Sequence, residues 1–186
     1  MFSPFSEDDN SHDLVKFNQT IISIQGVGCP HQLAGLRLGE AVLDLGSGLG
    51  VDSFIAGRAV GREGRVTGLD ISSGEVQHAA SRAAHRGETN LQFVHGDMEK
   101  MPFESESFDA VISNGAFCLA GDKAAAFREI MRVLRPGGRF SVACTTLRTQ
   151  LEDGVEWPVC MRVFMPLSEA EPLLTRLISG FSENGN

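Results

Sequence analysis

Three aspartates carry the most chemistry per residue in this sequence. Asp44 sits inside the apolar run Ala41-Val-Leu-Asp-Leu45, two residues before Gly46. Asp70 closes the run Arg65-Val-Thr-Gly-Leu-Asp70, and Asp97 follows Asn90-Leu-Gln-Phe-Val-His95 and Gly96. Ionised carboxylates only accept hydrogen bonds, and the two oxygens of one carboxylate suit the two hydroxyls of a vicinal diol better than an amide or hydroxyl does. Asp70 lies twenty residues beyond Gly50, the distance at which doubly wound nucleotide folds place an acid for ribose hydroxyls. Asp97 can accept from the amino group of a purine, with Met98 packed on the ring. Between the first two runs lies Gly46-Ser47-Gly48-Leu49-Gly50, a turn whose glycines let the backbone approach a ligand closely and adopt positive φ.

The elements that must position these groups follow from periodicity. Ala41–Leu45 is a buried strand, and residues 53–60 fit the first turns of a helix ending near Gly61. Residues 65–70, 90–95, 108–113 and 139–144 read as four further strands, the fourth of the five ending at Asn114 and Gly115. Residues 75–86 read as a helix capped by Ser72 or Ser73. Asp122 to Arg135 is the clearest helix: Phe127, Ile130, Met131 and Leu134 recur at helical spacing, Asp122 suits the N-cap, and Pro136-Gly137-Gly138 stops it. Strands alternating with helices imply an α/β, doubly wound, mostly parallel sheet. Right-handed crossovers then bring Gly46, Asp70, Asp97 and Asn114 to one edge, in a single crevice.

Composition narrows the classes. The chain has 186 residues, 42% hydrophobic and 22% charged, enough for one globular domain with a sizeable core. The formal net charge is −8 and no Lys/Arg cluster is present, which disfavours nucleic acid as a partner. The four cysteines, Cys29, Cys118, Cys144 and Cys160, form no C-x-x-C pair, so no metal is expected and a reducing, cytoplasmic setting is. Cys118 and Cys144 lie in apolar segments and read as buried thiols. No apolar run approaches a membrane span. Residues 1–13 are polar and acidic and read as a mobile arm. Residues 14–25, with Leu14, Val15, Phe17, Ile21, Ile22 and Ile24, are expected to form a short cap helix across the pocket. The division expected is therefore 1–25 as arm and cap helix and 26–186 as the ligand-binding domain.

The glycine turn departs from the dinucleotide pattern G-x-G-x-x-G, because its third glycine comes one residue early. Val42-Leu-Asp-Leu-Gly-Ser-Gly-Leu-Gly50, Gly68-Leu-Asp70, Gly96-Asp97, Met101-Pro-Phe103 with Ser107-Phe-Asp109, and Arg132-Val-Leu-Arg-Pro-Gly-Gly138 come in the order of another family. From about Ala34 to Leu147 the chain resembles class I S-adenosylmethionine-dependent methyltransferases, of the arsenite methyltransferase-like and ubiquinone/menaquinone methyltransferase group. Gly26, Gly28 and Pro30, Asp52, and Ile112-Ser-Asn114 are similar to the arsenite branch. The resemblance implies a Rossmann-like methyltransferase fold and S-adenosylmethionine as cofactor, with S-adenosylhomocysteine as product. It implies cofactor contacts at Asp44, Gly46, Ser47, Gly48, Gly50, Asp70, Ile71, Asp97, Met98 and Asn114.

Two departures qualify what the resemblance implies. Arsenite enzymes hold arsenic with cysteine thiolates, soft ligands for a soft ion; at two such positions this chain has Val27 and Gly115. A small-molecule acceptor other than arsenic is therefore expected. The family sheet also ends in a C-terminal hairpin, for which the segment after Leu147 is short, so C-terminal strands are expected to be missing or incomplete. A sheet of about five strands would leave an open edge, for a homodimer contact or a partner to cover. The segment Met165 to Ile178 reads as a late helix, and Trp157, Cys160, Arg162 and Phe164 as an amphipathic patch before it. His31, Cys29 and Cys118 are candidates to line an acceptor pocket, but no residue stands out as a general base and no catalytic residue is named. The alternative function is a catalytically inactive binding or assembly subunit of the same fold; a nicotinamide oxidoreductase fits the glycine spacing least.

Overall fold

A computed structural model of the chain describes residues 13–17, 20–25 and 28–144, together with Pro172; for the first two stretches the backbone alone is described. The elements are β1 (Asp13–Phe17), β2 (Thr20–Gln25), α1 (Pro30–Leu33), β3 (Ala41–Leu45), α2 (Val51–Val60), β4 (Arg65–Asp70), α3 (Ser73–His85), β5 (Leu91–His95), β6 (Phe108–Asn114), a 3-10 turn at Phe117–Leu119, α4 (Lys123–Val133) and β7 (Leu134–Ala143). They build one sheet in the order β1-β2-β7-β6-β3-β4-β5. Every neighbouring pair is parallel except β1 with β2.

The central strands are those a parallel sheet covered on both faces requires. All five residues of β3 are buried, and the strand lies between β6 and β4. The pleat sends alternate residues to opposite faces. Val42, Val66, Ala110 and Ile112 pack with Ala56 and Val60 of α2 and with Ala34 beyond α1. Leu43, Leu45, Val111 and Phe140 pack on the other face with Phe127, Ile130 and Val133 of α4 and with Phe117 of the 3-10 turn. The α3 helix joins the α2 layer through Phe93 of β5, whose ring centroid is 6.4 Å from that of Phe54, with Arg82 and Arg86 of α3 over the Phe54 ring. The caps are local and specific: Ser72 Oγ accepts from the Glu75 N–H, and Asp122 Oδ1 accepts from the Ala125 N–H at 2.9 Å.

The expected cap helix at 14–25 is corrected. Residues 13–25 pair as a hairpin, Asp13 opposite Ile24 and Phe17 opposite Thr20, and β2 runs parallel to β7. β-branched residues dominate Thr20-Ile-Ile-Ser-Ile24, and they lose side-chain freedom in a helix but suit a pleated sheet. The edge expected to stay open beyond the fifth strand of the α/β series is accordingly filled: β2 and then β1 extend the sheet past β7 to seven strands. β2 thus covers the fifth strand's edge, and β1 is the outer strand of the sheet on that side. α4 ends at Val133, two residues before the expected Arg135, because Leu134 already pairs with Phe108; the register then jumps so that Ala110 meets Arg139, and Pro136-Gly-Gly138 falls in that irregularity. The late helix and the Trp157–Phe164 patch lie outside the described residues, apart from Pro172, which is helical. Among the described residues no helix is long and apolar enough to cross a membrane.

Candidate functional site

The strand ends on one edge enclose a cavity of about 540 Å³, a usual size for a small-molecule site. Its walls come from four consecutive strands of the sheet order. Gly46 and Gly48 follow β3, Asp70 and Ile71 end β4, Asp97 and Met98 follow β5, and Asn114 ends β6. Seven of the ten residues expected at the cofactor are brought together in this way.

Asp70 is the structural hinge of the site. It is 8% exposed, and each carboxylate oxygen accepts from one backbone N–H at 2.8 Å: Oδ2 from Gly48 and Oδ1 from Ser72. One side chain thus ties the glycine loop to the start of α3. The Gly46 and Ser47 N–H groups donate to Leu69 O at 2.8 and 3.0 Å, which holds the loop against β4. Gly46 has φ +69°, and a Cβ there would run into the side chain of Ala116, so loop and opposite wall are in contact. On the far side Asp97 Oδ1 accepts from the Glu99 N–H at 2.9 Å, and Glu99 Oε1 accepts from the Asp122 N–H at 2.9 Å.

Asp44, Ser47 and Gly50 do not line the cavity. The pleat turns Asp44 to the α2 face, where it is 2% exposed and accepts from Ser53 Oγ at 2.6 Å. Burial pushes its carboxyl up to about 7; the Ser53 hydrogen bond opposes this, and the charges of Asp52 and Asp70 add to it. Ser47 is buried beneath the loop, its Oγ close to where a Gly68 Cβ would stand. Gly50 is the N-cap of α2 with φ +81°, and a Cβ there would come within 2.7 Å of the Phe93 ring. These three shape the loop from beneath.

Asn114 shows a second constellation. Its amide nitrogen donates to Gly28 O and to Asp52 Oδ2, both at 3.1 Å. Both neighbours are acceptors, which fixes the amide orientation. Asn114 Oδ1 is buried and has no hydrogen-bond partner among the described residues. Cavity residues that the sequence does not mark as ligand contacts include Ser72, Glu75, Glu99 and Leu119. The spacing of Ser72 and Glu75 is that of a capping box, a signal for a helix start beside a strand-end ligand site.

The charge of the lining is one-sided. Asp70, Glu75, Asp97 and Glu99 line the cavity, and among the described lining residues there is no Lys or Arg. The thiols near the β6 side are protonated: burial pushes Cys118 up, and Cys144, half-buried, up to about 11. Cys29 is exposed. Among the described residues no group of three potential metal ligands is assembled.

A doubly wound sheet with an acid-lined crevice over its carboxyl edge and a glycine loop at its centre defines a Rossmann-like small-ligand-binding domain. Residues 36–162 match the family model described as a methyltransferase domain, and the chain belongs to that family. It is 38% identical over 133 residues to an arsenite methyltransferase of Halobacterium salinarum, covering 70% of this chain and 34% of the relative. It is 34% identical over 143 residues to a ubiquinone/menaquinone biosynthesis C-methyltransferase of Pseudomonas putida, covering 74% and 54%. A solved arsenic(III) S-adenosylmethionine methyltransferase from Chlamydomonas reinhardtii superposes with a TM-score of 0.69 at 31% identity, covering 77% of this chain and 52% of that one. The chain thus spans about a third of the length of the first relative and about half of the other two.

Proposed function

We propose that this chain binds S-adenosylmethionine in the crevice and supports transfer of its methyl group to a small-molecule acceptor, releasing S-adenosylhomocysteine. The observation that carries the reading is the lining: four carboxylates and no described cation around a glycine loop. A dinucleotide brings a pyrophosphate that this surface would repel. S-adenosylmethionine brings a diol, an amino group, an ammonium and a sulfonium, all of which carboxylates and carbonyl oxygens favour. The names of the relatives point to the same cofactor and reaction class.

The residues present fit this cofactor. Asp70 presents the remaining lone pairs of an already oriented carboxylate to the diol. Asp97 and Met98 serve the adenine, with the exposed side chain of Ile71 beside them. Asn114 Oδ1, buried and unpartnered among the described residues, is an acceptor for the ammonium next to the Gly46–Gly48 backbone. Asp44 acts from beneath, holding Ser53 at the first turn of α2. The bound cofactor supplies a methyl group already activated on positive sulfur. What remains for the chain is to orient donor and acceptor in line and to exclude water. Val27 and Gly115, in place of the thiolates expected in an arsenic site, support an acceptor other than arsenite.

Calorimetric titration of wild type, Asp70→Asn and Asp70→Ala with S-adenosylmethionine tests the reading. Hydrogen bonds to a charged acceptor contribute about 1.5–3 kcal/mol, so both variants are expected to bind roughly 10- to 100-fold more weakly. Asp70→Asn keeps the side-chain shape but sets an NH2 group against one of the two N–H donors, so the fold of each variant is checked by circular dichroism before affinities are compared. A folded wild-type protein that binds neither S-adenosylmethionine nor S-adenosylhomocysteine would refute it.

A further inference from the structure

The residues on the β6 side of the crevice form a polar relay that meets the cofactor contacts only at Asn114. The short helix α1 packs against α2, β6 and β7. From it His31 Nδ1 reaches within 3.2 Å of Asp52 Oδ1 on α2; the contact is short but off the N–H axis. The other oxygen of Asp52 accepts from Asn114 Nδ2 at 3.1 Å, and Asn114 is a wall of the cavity. The side chains of His31 and Asp52 are 17% and 19% exposed. Among the described residues the His31 imidazole faces Asp52, and no hydrogen bond reaches His31 Nε2. The chain therefore sets the Nδ1 side of an imidazole against a carboxylate that also binds a wall residue of the cavity, and leaves Nε2 without a partner among the described residues.

Resting on the methyl-donor reading above, we infer that His31 Nε2 is the proton acceptor for the methyl-accepting substrate, held in place by Asp52, and that this substrate is a protic nucleophile: a hydroxyl, phenol, enol or N–H compound. The sheet order supplies the location. Asp97 and Asp70 lie over β5 and β4, so the nucleoside end of the cofactor belongs there; Gly46 and Asn114 lie over β3 and β6, which puts the reactive end on the His31 side. As the acceptor atom bonds to the methyl carbon, the carbon–sulfur bond breaks and its electron pair stays on sulfur. The proton lost by the acceptor goes to Nε2 and from there to solvent. Other groups on that side are poorly suited. Cys118 donates its thiol to Gly115 O at 3.3 Å and Cys144 is protonated, as given above. Asp52 already faces His31 and Asn114, with Asp44 buried behind it and interacting with it electrostatically. Arg139 of β7 reaches the C-terminal end of α1 but is held by Ala34 O and Glu40, each at 2.6 Å. Asp52 is a positioning residue: it selects the tautomer with the proton on Nδ1 and the lone pair on Nε2.

The test is imidazole nitrogen NMR on the full chain, with His31 assigned by His31→Gln. Wild type is expected to show the Nδ1–H tautomer, and the His31 Nε2 resonance is expected to differ between protein saturated with S-adenosylmethionine and with S-adenosylhomocysteine, which lacks the methyl and its charge. Asp52→Asn is expected to lose the tautomer preference and Asp52→Glu to restore it. His31→Gln is expected to leave affinity for S-adenosylmethionine within about twofold while slowing methylation of a catechol or hydroquinone probe by roughly 100-fold, the lower range for general-base catalysis. An Nε2–H tautomer in wild type, or identical His31 resonances in the two complexes, overturns the assignment even if both ligands bind. Absence of binding by either ligand instead overturns the methyl-donor reading and takes this one with it.

Discussion

Asp44→Asn separates the electrostatic cost of the buried acid from its hydrogen bond. The carboxyl titrates near 7 in the fold and near 3.8 when solvated, chiefly because burial disfavours the charge. The folded state therefore keeps a proton that the unfolded chain has lost across that interval. Below the lower value both states are protonated and the acid costs nothing; above the upper value both are ionised and the full penalty applies. Stability contributed by this group thus falls as pH rises from about 4 to 7. From pH 5 to pH 8 the penalty grows over about two units, and at about 1.4 kcal/mol per unit that is roughly 2–3 kcal/mol. An asparagine has no such term and can still accept from Ser53. Its constant cost, whatever its size, cancels when the two pH values are compared.

The assay is thermal melting of wild type and Asp44→Asn at both pH values, without ligand. For a chain of this size 1 kcal/mol moves Tm by about 2–4 °C, so the variant should gain roughly 5–10 °C on wild type between pH 5 and pH 8. Ser53→Ala, which removes the hydrogen bond that lowers the acid's pKa, should steepen the pH dependence of the otherwise wild-type chain. A Tm difference between wild type and Asp44→Asn that is the same at both pH values would refute the reasoning, since it would mean that Asp44 ionises as readily in the fold as in water.

Two further outcomes follow from groups away from the cavity. Arg139 and Glu40 pair at 2.6 Å with side chains only 12% and 13% exposed, so Glu40→Ala should strand a guanidinium and cost about 3–5 kcal/mol in urea unfolding, with Glu40→Ala/Arg139→Met recovering part of it; a single-variant loss below about 1 kcal/mol would show the pair to be solvent-screened. With an alkylating reagent at pH 7.5, peptide mapping should find exposed Cys29 modified well before Cys118 and Cys144, and raising the pH should accelerate Cys144, whose thiol is pushed up to about 11; early labelling of Cys144 would contradict its burial.

The strand-end acids were legible because parallel topology leaves little choice: once strands and helices alternate, the residues after each strand must meet at one edge, and Asp70, Asp97 and Asn114 do meet there. Asp44 shows where that logic stops. Its place in the motif implies a cofactor contact, while strand parity sets its side chain on the face of Val42, which packs under α2. Gly50 belongs to the same motif, and its positive φ and the Phe93 ring by themselves require the missing side chain. The N-terminal hairpin was illegible for a different cause. Periodicity reports which face of an element is apolar and says nothing of its partner, and the partner of β2 is β7, at the opposite end of the described chain. The His31 relay is the extreme case: Asp52 and Asn114 are 62 residues apart, neither is near a motif for acid–base chemistry, and the contact exists only because α1, α2 and β6 converge. A base assembled from three elements leaves no spacing along the chain to read.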